Sequence, residues 1–274
     1  MPNVVYIVTH DRYANLGRVI PRWLDQGFSI VLVVDPAEYE GHVQLIRNQG
    51  WSRVEASCPT KRNRGVGYQR KWAVVRASLR EHSTIIMSDD DIRPAKDSNM
   101  SLLIEAARNT DVLGIGAARS IHNHFTKGAI SRNQGQILCP GGWGFQLFAL
   151  NIPNTIAVGN FDERLDCFGE DAELMRQGIA AGIPWRIHCD VWCETIGARY
   201  APGGMMSYAP YDRQQREIEC RRIIHERWPD YTSKPEARPR MAWKRFYDDM
   251  IPGWQNLSAI HGGSLNNGYA RPHP

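Results

Sequence analysis

Apolar runs and amphipathic stretches alternate along the first third of the chain. The strand candidates are short runs rich in β-branched side chains, at residues 4–8, 30–34 and 85–87. The helix candidates carry apolar side chains at helical spacing, at residues 15–26 and 42–48. Such alternation of strands and helices predicts an α/β protein with a mainly parallel sheet flanked by helices.

The rest of the chain is less regular and predicts a sheet of mixed strand direction. Helices are expected at 101–107, 171–181 and 213–228, and strands at 112–117, 145–150 and 185–191. Proline, glycine and asparagine become frequent towards the C-terminus. We therefore expect a single domain over residues 1–245, followed by a tail over residues 246–274.

Composition narrows the class of protein. The longest apolar runs have strand length, far short of the ~18 consecutive apolar residues that a membrane span needs. The N-terminus has neither the basic lead nor the cleavage site of a secretory signal, so we expect a cytoplasmic protein without a membrane anchor. The six cysteines are scattered, which favours reduced thiols. The net charge of +4 permits a polyanionic partner without requiring one.

Three consecutive acids, Asp89, Asp90 and Asp91, follow a predicted buried strand. Alternate side chains on an extended segment point the same way, so Asp89 and Asp91 are candidate ligands of Mg²⁺ or Mn²⁺. Asp90 would then face a nucleotide sugar or the sheet. Two carboxylates leave several positions of such an ion open, and substrate phosphates commonly fill them. The triplet therefore predicts a diphosphate substrate, unless it is a solvated acidic turn or a helix cap.

A basic segment precedes the triplet. Residues 60–80 contain no acid and seven cations, which are Lys61, Arg62, Arg64, Arg70, Lys71, Arg76 and Arg80. Gly65 and Gly67 would allow the backbone to approach a ligand closely. The segment is either a phosphate-binding loop or a flexible exposed one. Trp72, Val75 and Leu79 recur at helical spacing after it and predict the apolar face of a helix.

A second acidic pair, Glu170 and Asp171, stands at the start of a predicted helix. Acids at this position commonly stabilise the helix dipole. An ionised carboxylate there could also accept a proton from an attacking hydroxyl near neutral pH. This segment alone does not distinguish stabilisation of the helix from a role as a catalytic base.

Together these motifs resemble the glycosyltransferases of GT-A fold over residues 3–230. The aspartate triplet resembles the DXD motif of that family, Gly169-Glu170-Asp171 resembles its xED motif, and Gly141-Gly142 resembles the glycine-rich loop between them. The resemblance implies a metal-dependent, inverting transfer from a UDP-sugar, with Mn²⁺ or Mg²⁺ on Asp89 and Asp91. Asp171 would be the base, assisted by Glu170. The implied donor contacts are Thr9, His10, Asp11, Arg12, Asp35, Asp90, Gly141, Gly142 and, at the diphosphate, Arg70 or Lys71.

One feature departs from the family pattern. Many members supply a later histidine as a third metal ligand, and no residue of this chain is plainly that one. His188 lies in a predicted strand and His225 in a predicted basic helix. The third ligand is therefore His188, His225 or none.

Within the fold, the segments GYQRKWAVV, IMSDDDI and GGWGFQLF resemble the TET-associated glycosyltransferases of bacteriophages. That resemblance implies a hexosyl- or N-acetylhexosaminyltransferase that modifies hydroxymethylated pyrimidines, such as 5-hydroxymethylcytosine, in DNA inside a bacterial host. Residues 213–245 hold ten basic and five acidic residues. They form either a phosphate-binding face or a solvated helix surface.

Three other functions fit parts of the pattern. A glycosyltransferase with a glycan or protein acceptor would use the same two acidic motifs. A metal-dependent nucleotidyltransferase or phosphohydrolase would also need acids around a cation. A noncatalytic nucleic-acid-binding protein would explain the arginines but would leave both acidic motifs without a role.

Overall fold

The computed structural model describes residues 3–10, 12–59, 65–118, 135–139, 146–166, 168–196 and 210–229. The strands within these ranges are β1 Val4–Val8, β2 Ser29–Val33, β3 Val54–Ser57, β4 Thr84–Asp89, β5 Ile92–Pro94, β6 Gly114–Ala118, β7 Gln136–Leu138, β8 Leu147–Asn151 and β9 Trp185–Thr195. The α-helices are α1 Tyr13–Asp25, α2 Tyr39–Gln49, α3 Gly65–Leu79, α4 Ser101–Ala107, α5 Ile152–Ala157, α6 Glu170–Ala180 and α7 Pro210–Arg227.

The described strands form one curled sheet in the order β3-β2-β1-β4-β8-β6-β9-β5, with β7 also paired to β9. β1 to β4 run parallel to one another, and β8 runs antiparallel to β4. β6 and β9 are parallel to each other, whereas β5 and β7 run antiparallel to β9. The predicted mixed, mainly parallel sheet is thus confirmed. Its parallel part brings the carboxyl ends of β1, β2 and β4 to one edge.

Alternating side chains of the central strands pack on the two faces of the sheet. Val5 and Ile7 of β1 pack on one face with α1 and α4, through residues such as Leu16 and Leu103. Tyr6 packs on the other face with α3 and α6. Helices on both faces leave the strand ends as the exposed edge of the layers, which is where open α/β sheets bind ligands.

The predicted apolar face of α3 is wrong at two of its three positions, because only Trp72 packs against the core. Val75 is 43% exposed and Leu79 is 80% exposed. Apart from Val74, the buried face of the helix consists of small or polar residues, which are Gly67, Gln69, Arg70, Ala73 and Ala77. Small side chains allow α3 to lie close to β1 and β4, a closeness that hydrophobicity alone does not indicate.

Within the described ranges, no helix is both long and apolar enough to cross a membrane.

Candidate active site

The first acidic cluster forms because β1, β2 and β4 are parallel and in register. Val8 of β1 pairs with Val33 of β2 and with Asp89 of β4. The residues that follow these strands therefore lie side by side at one edge of the sheet. These residues include Thr9, His10, Arg12, Asp35, Asp90 and Asp91.

Asp90 points back to the segment that follows β1. Its Oδ2 accepts a hydrogen bond from Thr9 Oγ1 at 2.8 Å, and its Oδ1 accepts one from Arg12 Nη1 at 2.9 Å. Asp90 is 5% exposed. Burial raises the pKa of Asp90 to about 6, against the opposing charge of Arg12 and the hydrogen bond from Thr9. The middle acid of the triplet thus connects the segment after β4 to the segment after β1 through hydrogen bonds.

Asp91 has one oxygen engaged by protein and one that is not. Its Oδ2 lies 3.3 Å from Arg12 Nη1. Its Oδ1 is buried and accepts no hydrogen bond in the described part of the chain. A buried carboxylate oxygen is costly without a partner. A divalent cation would satisfy that oxygen, so Asp91 fits the metal-binding role that the triplet predicts.

Arg70 joins the two acidic motifs. Its Nη2 donates to Asp89 Oδ1 at 2.8 Å, and its Nη1 lies 2.7 Å from Glu170 Oε1. Arg70 is 4% exposed, and its guanidinium carbon lies 5.4 Å from the ring centroid of Phe148. Burial raises the pKa of Asp89 to about 7, and the charge of Arg70 opposes this rise. The triplet and the Glu170–Asp171 pair, far apart in sequence, therefore meet around one buried cation.

The second motif opens α6. Gly169 has a left-handed backbone conformation (φ 81°) and precedes Glu170, the first residue of the helix. Glu170 and Asp171 are both buried. Burial raises the pKa of Glu170, and the charge of Arg70 lowers it. The Oδ1 of Asp171 accepts a hydrogen bond from the backbone N–H of Ala172 at 2.7 Å.

Two glycines at the start of α3 position Arg70. The backbone N–H of Gly67 donates to Leu165 O at 2.9 Å, and that of Val66 donates to Asp166 O at the same distance. A Cβ on Gly65 would overlap the backbone of Asp166, and one on Gly67 would overlap that of Leu165. The close approach allowed by these glycines is therefore to residues 162–166 of the same chain.

The α7 helix packs behind α6 and residues 162–166. Leu165 is buried with Cys220, Ile223 and Ile224 of α7. Two ion pairs add to this contact, Arg216 with Asp166 at 2.6 Å and Arg227 with the buried Glu173 at 2.8 Å. The α7 helix thus packs against the segments that carry Glu170 and Asp171, on the side away from the sheet.

The basic segments are less available to a polyanion than their sequences indicate. In α3, Arg70 pairs with Asp89 and Glu170, Lys71 lies 3.6 Å from Glu163, and Arg76 and Arg80 pair with Glu55. In α7, Arg221 pairs with Glu217 and Arg222 pairs with Glu219. The cations described in residues 65–80 are therefore matched by acids from other parts of the chain. Lys61, Arg62 and Arg64 lie outside the described residues.

Three predicted donor contacts, Asp11, Gly141 and Gly142, also lie outside the described residues. His188 lies on β9, where burial lowers its pKa, and His225 lies on the exposed side of α7. These placements leave the third-ligand prediction open.

A second cluster at the same edge includes a residue that the sequence analysis missed. His10 Nδ1 lies 2.7 Å from Asp35 Oδ2 and 2.9 Å from Glu38 Oε1. The Asp35 and Glu38 carboxylates raise the pKa of His10 to about 10. Gln69, also missed, donates to Asp35 Oδ1 at 3.1 Å. The available signal for Glu38 was its spacing, three residues after Asp35 across a proline that favours a tight turn.

No family model matches the chain, and no curated protein matches it either. Two solved glycosyltransferase structures are among those that it resembles. The mannosyltransferase PcManGT from Pyrobaculum calidifontis, in complex with GDP-Man and Mn²⁺, is 16% identical, with a TM-score of 0.60 over 95% of this chain and 74% of that one. GalNAc-T7 with UDP, GalNAc and Mn²⁺ is 14% identical, with a TM-score of 0.58 over 91% of this chain.

The chain spans only 54% of the GalNAc-T7 chain. At these identities the likeness shows the fold. The mixed α/β domain has the fold of GT-A glycosyltransferases, as the order of the acidic motifs predicted.

Proposed function

We propose that this protein is a metal-dependent glycosyltransferase that moves a sugar from a nucleotide diphosphate donor, a UDP-sugar, to a hydroxyl acceptor. The observation that carries the proposal is the double ion pair of Arg70 with Asp89 and Glu170. It brings the two acidic motifs of a GT-A-like fold to one place. A cation site and a candidate base beside it are what transfer from a nucleotide sugar needs.

Asp89 and Asp91 are the proposed metal ligands. The unpartnered Oδ1 of Asp91 supports this role. Both solved neighbours are complexes with Mn²⁺, and carboxylate oxygens suit Mn²⁺ and Mg²⁺ alike. When bound, the ion would neutralise charge on the diphosphate leaving group. His188 and His225 remain candidates for a third ligand.

Asp171 is the proposed base. The acceptor hydroxyl oxygen forms a bond to the anomeric carbon while the bond from that carbon to the donor phosphate oxygen breaks. The hydroxyl proton passes to the Asp171 carboxylate, and the nucleotide diphosphate leaves with the bonding electron pair. Attack opposite the leaving group inverts the anomeric configuration. Glu170, held by Arg70, would orient the acceptor.

The donor would lie along the ends of β1 and β2. Its proposed contacts are Thr9, His10, Asp11, Arg12, Asp35, Asp90, Gly141, Gly142 and, at the diphosphate, Arg70 or Lys71. Arg70 already pairs with two carboxylates, whereas the Lys71 side chain is 38% exposed. Of the two cations, Lys71 is therefore the more accessible to a phosphate.

The proposed acceptor is the hydroxymethyl group of a 5-hydroxymethylpyrimidine in DNA. Its support is the resemblance of three sequence segments to the phage enzymes and the net charge of +4. The paired arginines of α7 give this acceptor no further support, because each is matched by an acid nearby. We also propose that the sugar is a hexose or an N-acetylhexosamine. Residues 246–274 are proposed to form a separate tail.

A mass-shift assay tests donor and acceptor together. The protein, Mn²⁺ and a panel of UDP- and GDP-sugars are incubated with DNA containing 5-hydroxymethylcytosine or 5-hydroxymethyluracil, with unmodified DNA as the control. We expect a gain of one sugar on the modified nucleoside only. Sugar transfer to glycans or peptides instead would identify a glycan or protein acceptor. Pyrophosphate release from nucleoside triphosphates without sugar transfer would identify a nucleotidyltransferase.

The noncatalytic alternative has its own test. A nucleic-acid-binding protein would bind DNA equally well with Asp89 or with Asp89→Ala, and neither form would consume a nucleotide sugar. A donor-dependent activity that Asp89→Ala abolishes contradicts that alternative.

A further inference from the structure

Three metal-ligating side chains converge at the ends of β1 and β2. His10 follows β1, Asp35 follows β2, and Glu38 ends the short 3-10 turn Pro36–Glu38. The imidazole Nδ1, one oxygen of Asp35 and one oxygen of Glu38 all lie within 4.8 Å of one another. This cluster is distinct from the pair Asp89 and Asp91, although the backbone N–H of His10 lies 3.4 Å from Asp90 Oδ2.

The surrounding residues orient the cluster. Gln69 Nε2 donates to Asp35 Oδ1, which leaves Oδ2 directed at His10. His42 Nδ1 lies 2.9 Å from the carbonyl oxygen of Glu38 and so fixes the turn that carries the Glu38 side chain. Groups that bind the far side of a carboxylate in this way are typical of metal sites.

The geometry around His10 places one ring nitrogen opposite two carboxylate oxygens. Its Nδ1 is buried and lies within 3 Å of both oxygens. A proton lies along one nitrogen–oxygen line, whereas a cation is shared by several ligand atoms around it. The imidazole is 37% exposed, which leaves the cluster accessible.

We infer that His10, Asp35 and Glu38 form a second divalent-cation site, with one nitrogen and two oxygen ligands, that takes a first-row transition ion such as Mn²⁺. Imidazole favours a transition metal over Mg²⁺. His10 and Asp35 are also proposed donor contacts, so the inference concerns the chain without a nucleotide. A titration in the absence of nucleotide therefore tests it separately from the proposed sugar transfer.

Counting bound ions tests the inference. The full chain, stripped with a chelator, is titrated with Mn²⁺ in the absence of nucleotide, and free Mn²⁺ is measured by room-temperature electron paramagnetic resonance. We expect two ions per wild-type chain and one per Glu38→Gln chain, with the affinity of the lost site reduced about tenfold or more. Glu55→Gln, at a surface acid, is the matched control and should still bind two.

The nature of the ligands gives a second readout. Pulsed electron paramagnetic resonance of bound Mn²⁺ detects directly coordinated nitrogen. Because His188 and His225 are candidate third ligands beside Asp89 and Asp91, the measurement is made on a chain that carries His188→Asn and His225→Asn. We expect a nitrogen coupling in this chain that a further His10→Asn removes. Equal ion counts in wild type and Glu38→Gln, or a nitrogen coupling that survives His10→Asn, would overturn the inference.

Asp91→Asn separates the two sites. It should remove the ion assigned to the triplet and leave the nitrogen-coupled ion in place. If Asp91→Asn changes nothing while Glu38→Gln removes an ion, the proposed metal role of Asp91 fails and the second site stands. Thermal unfolding of each metal-free variant verifies that the chain is folded before it is titrated.

Discussion

Arg70 carries a buried positive charge between the buried carboxylate of Glu170 and the partly buried carboxylate of Asp89, whose side chain is 27% exposed. Arg70→Met leaves Asp89 and Glu170 without the cation that they share. Removing one partner of a buried ion pair costs about 3–5 kcal/mol, so we expect the free energy of unfolding in urea to fall by that amount. Arg222→Met, at an exposed pair, should change it little. A similar small loss for both variants would contradict the bridging role.

Asp171 is the residue on which the proposed chemistry depends. Loss of a general base typically slows a reaction by about 10² to 10⁴ fold, and we expect Asp171→Asn to reduce the sugar-transfer rate by at least 10² fold. Donor affinity, measured by calorimetry, should change little, because the proposed role is at the acceptor. Glu163→Gln, at a half-exposed acid, is the control. A variant that keeps more than a tenth of the rate would show that another group accepts the proton.

At the residue scale, local sequence patterns predicted some of the site residues, whereas contacts between distant segments could not be predicted. The sequence placed Asp35 and Asp89 at the ends of strands, because an acid that follows an apolar run is a local signal. It did not predict that Arg70 pairs with Asp89 and Glu170. Such a pairing depends on how α3 packs against the sheet, which no local pattern records. Glu38 and Gln69 were missed for the same reason.

At the scale of elements, the contact between α6 and α7 predicts a pH dependence. The side chain of Glu173 is 1% exposed, and its carboxylate bonds Arg227 and Gln177. Burial raises the pKa of Glu173 above 4.5, and the charge of Arg227 only partly opposes this. The unfolded chain therefore releases this proton at lower pH than the folded chain. As pH rises from about 4.5 through the raised pKa, the folded state loses stability relative to the unfolded state.

Glu173→Gln isolates this effect, because glutamine cannot ionise. We expect the free energy of unfolding of the variant, relative to wild type, to increase as pH rises from 4.5 to 7.5. Chemical denaturation at several pH values measures the difference, in which the other titrating groups cancel. A difference that is constant with pH would mean that Glu173 has an ordinary pKa.

Elements were predicted well where one face is buried, and less well elsewhere. The structure places β1 at residues 4–8 and α4 at residues 101–107, as the hydrophobic pattern indicated. α5 was missed because six residues are too few to show a helical period. The apolar face of α3 was wrong at Val75 and Leu79, which face outward. Apart from Val74, its buried face is made of alanine, glycine and paired polar side chains.

For the whole molecule, α7 belongs to the domain and its removal should unfold part of it. A chain that ends at residue 209 exposes Leu165, which is fully buried, and leaves Glu173 without Arg227. The buried side chains of α7 contribute several kcal/mol, so we expect the melting temperature to fall by about 8 °C or more. A chain that ends at residue 245 keeps every described contact and should melt within about 2 °C of the full chain. Equal melting temperatures for the two truncations would contradict the domain assignment.

The overall class was the easiest property to predict. Strand–helix alternation along the sequence predicts an α/β sheet, and the order of the two acidic motifs indicates the GT-A fold. The pairing of β8 against β4 and the return of β9 beside β6 depend on long-range packing. Those pairings have no local signature in the chain.

The glycines of α3 limit how this protein can be engineered. Replacing helix glycines by alanine is a common route to a more heat-resistant protein, worth about 0.5–1 kcal/mol at a permissive position. Gly17 in α1 has open space where a methyl group would lie, so Gly17→Ala should raise the denaturation midpoint. Gly67→Ala should lower it, because the added carbon would overlap Leu165 O. Stabilising substitutions can therefore be introduced first in α1, and the glycines in the first turn of α3 should be kept.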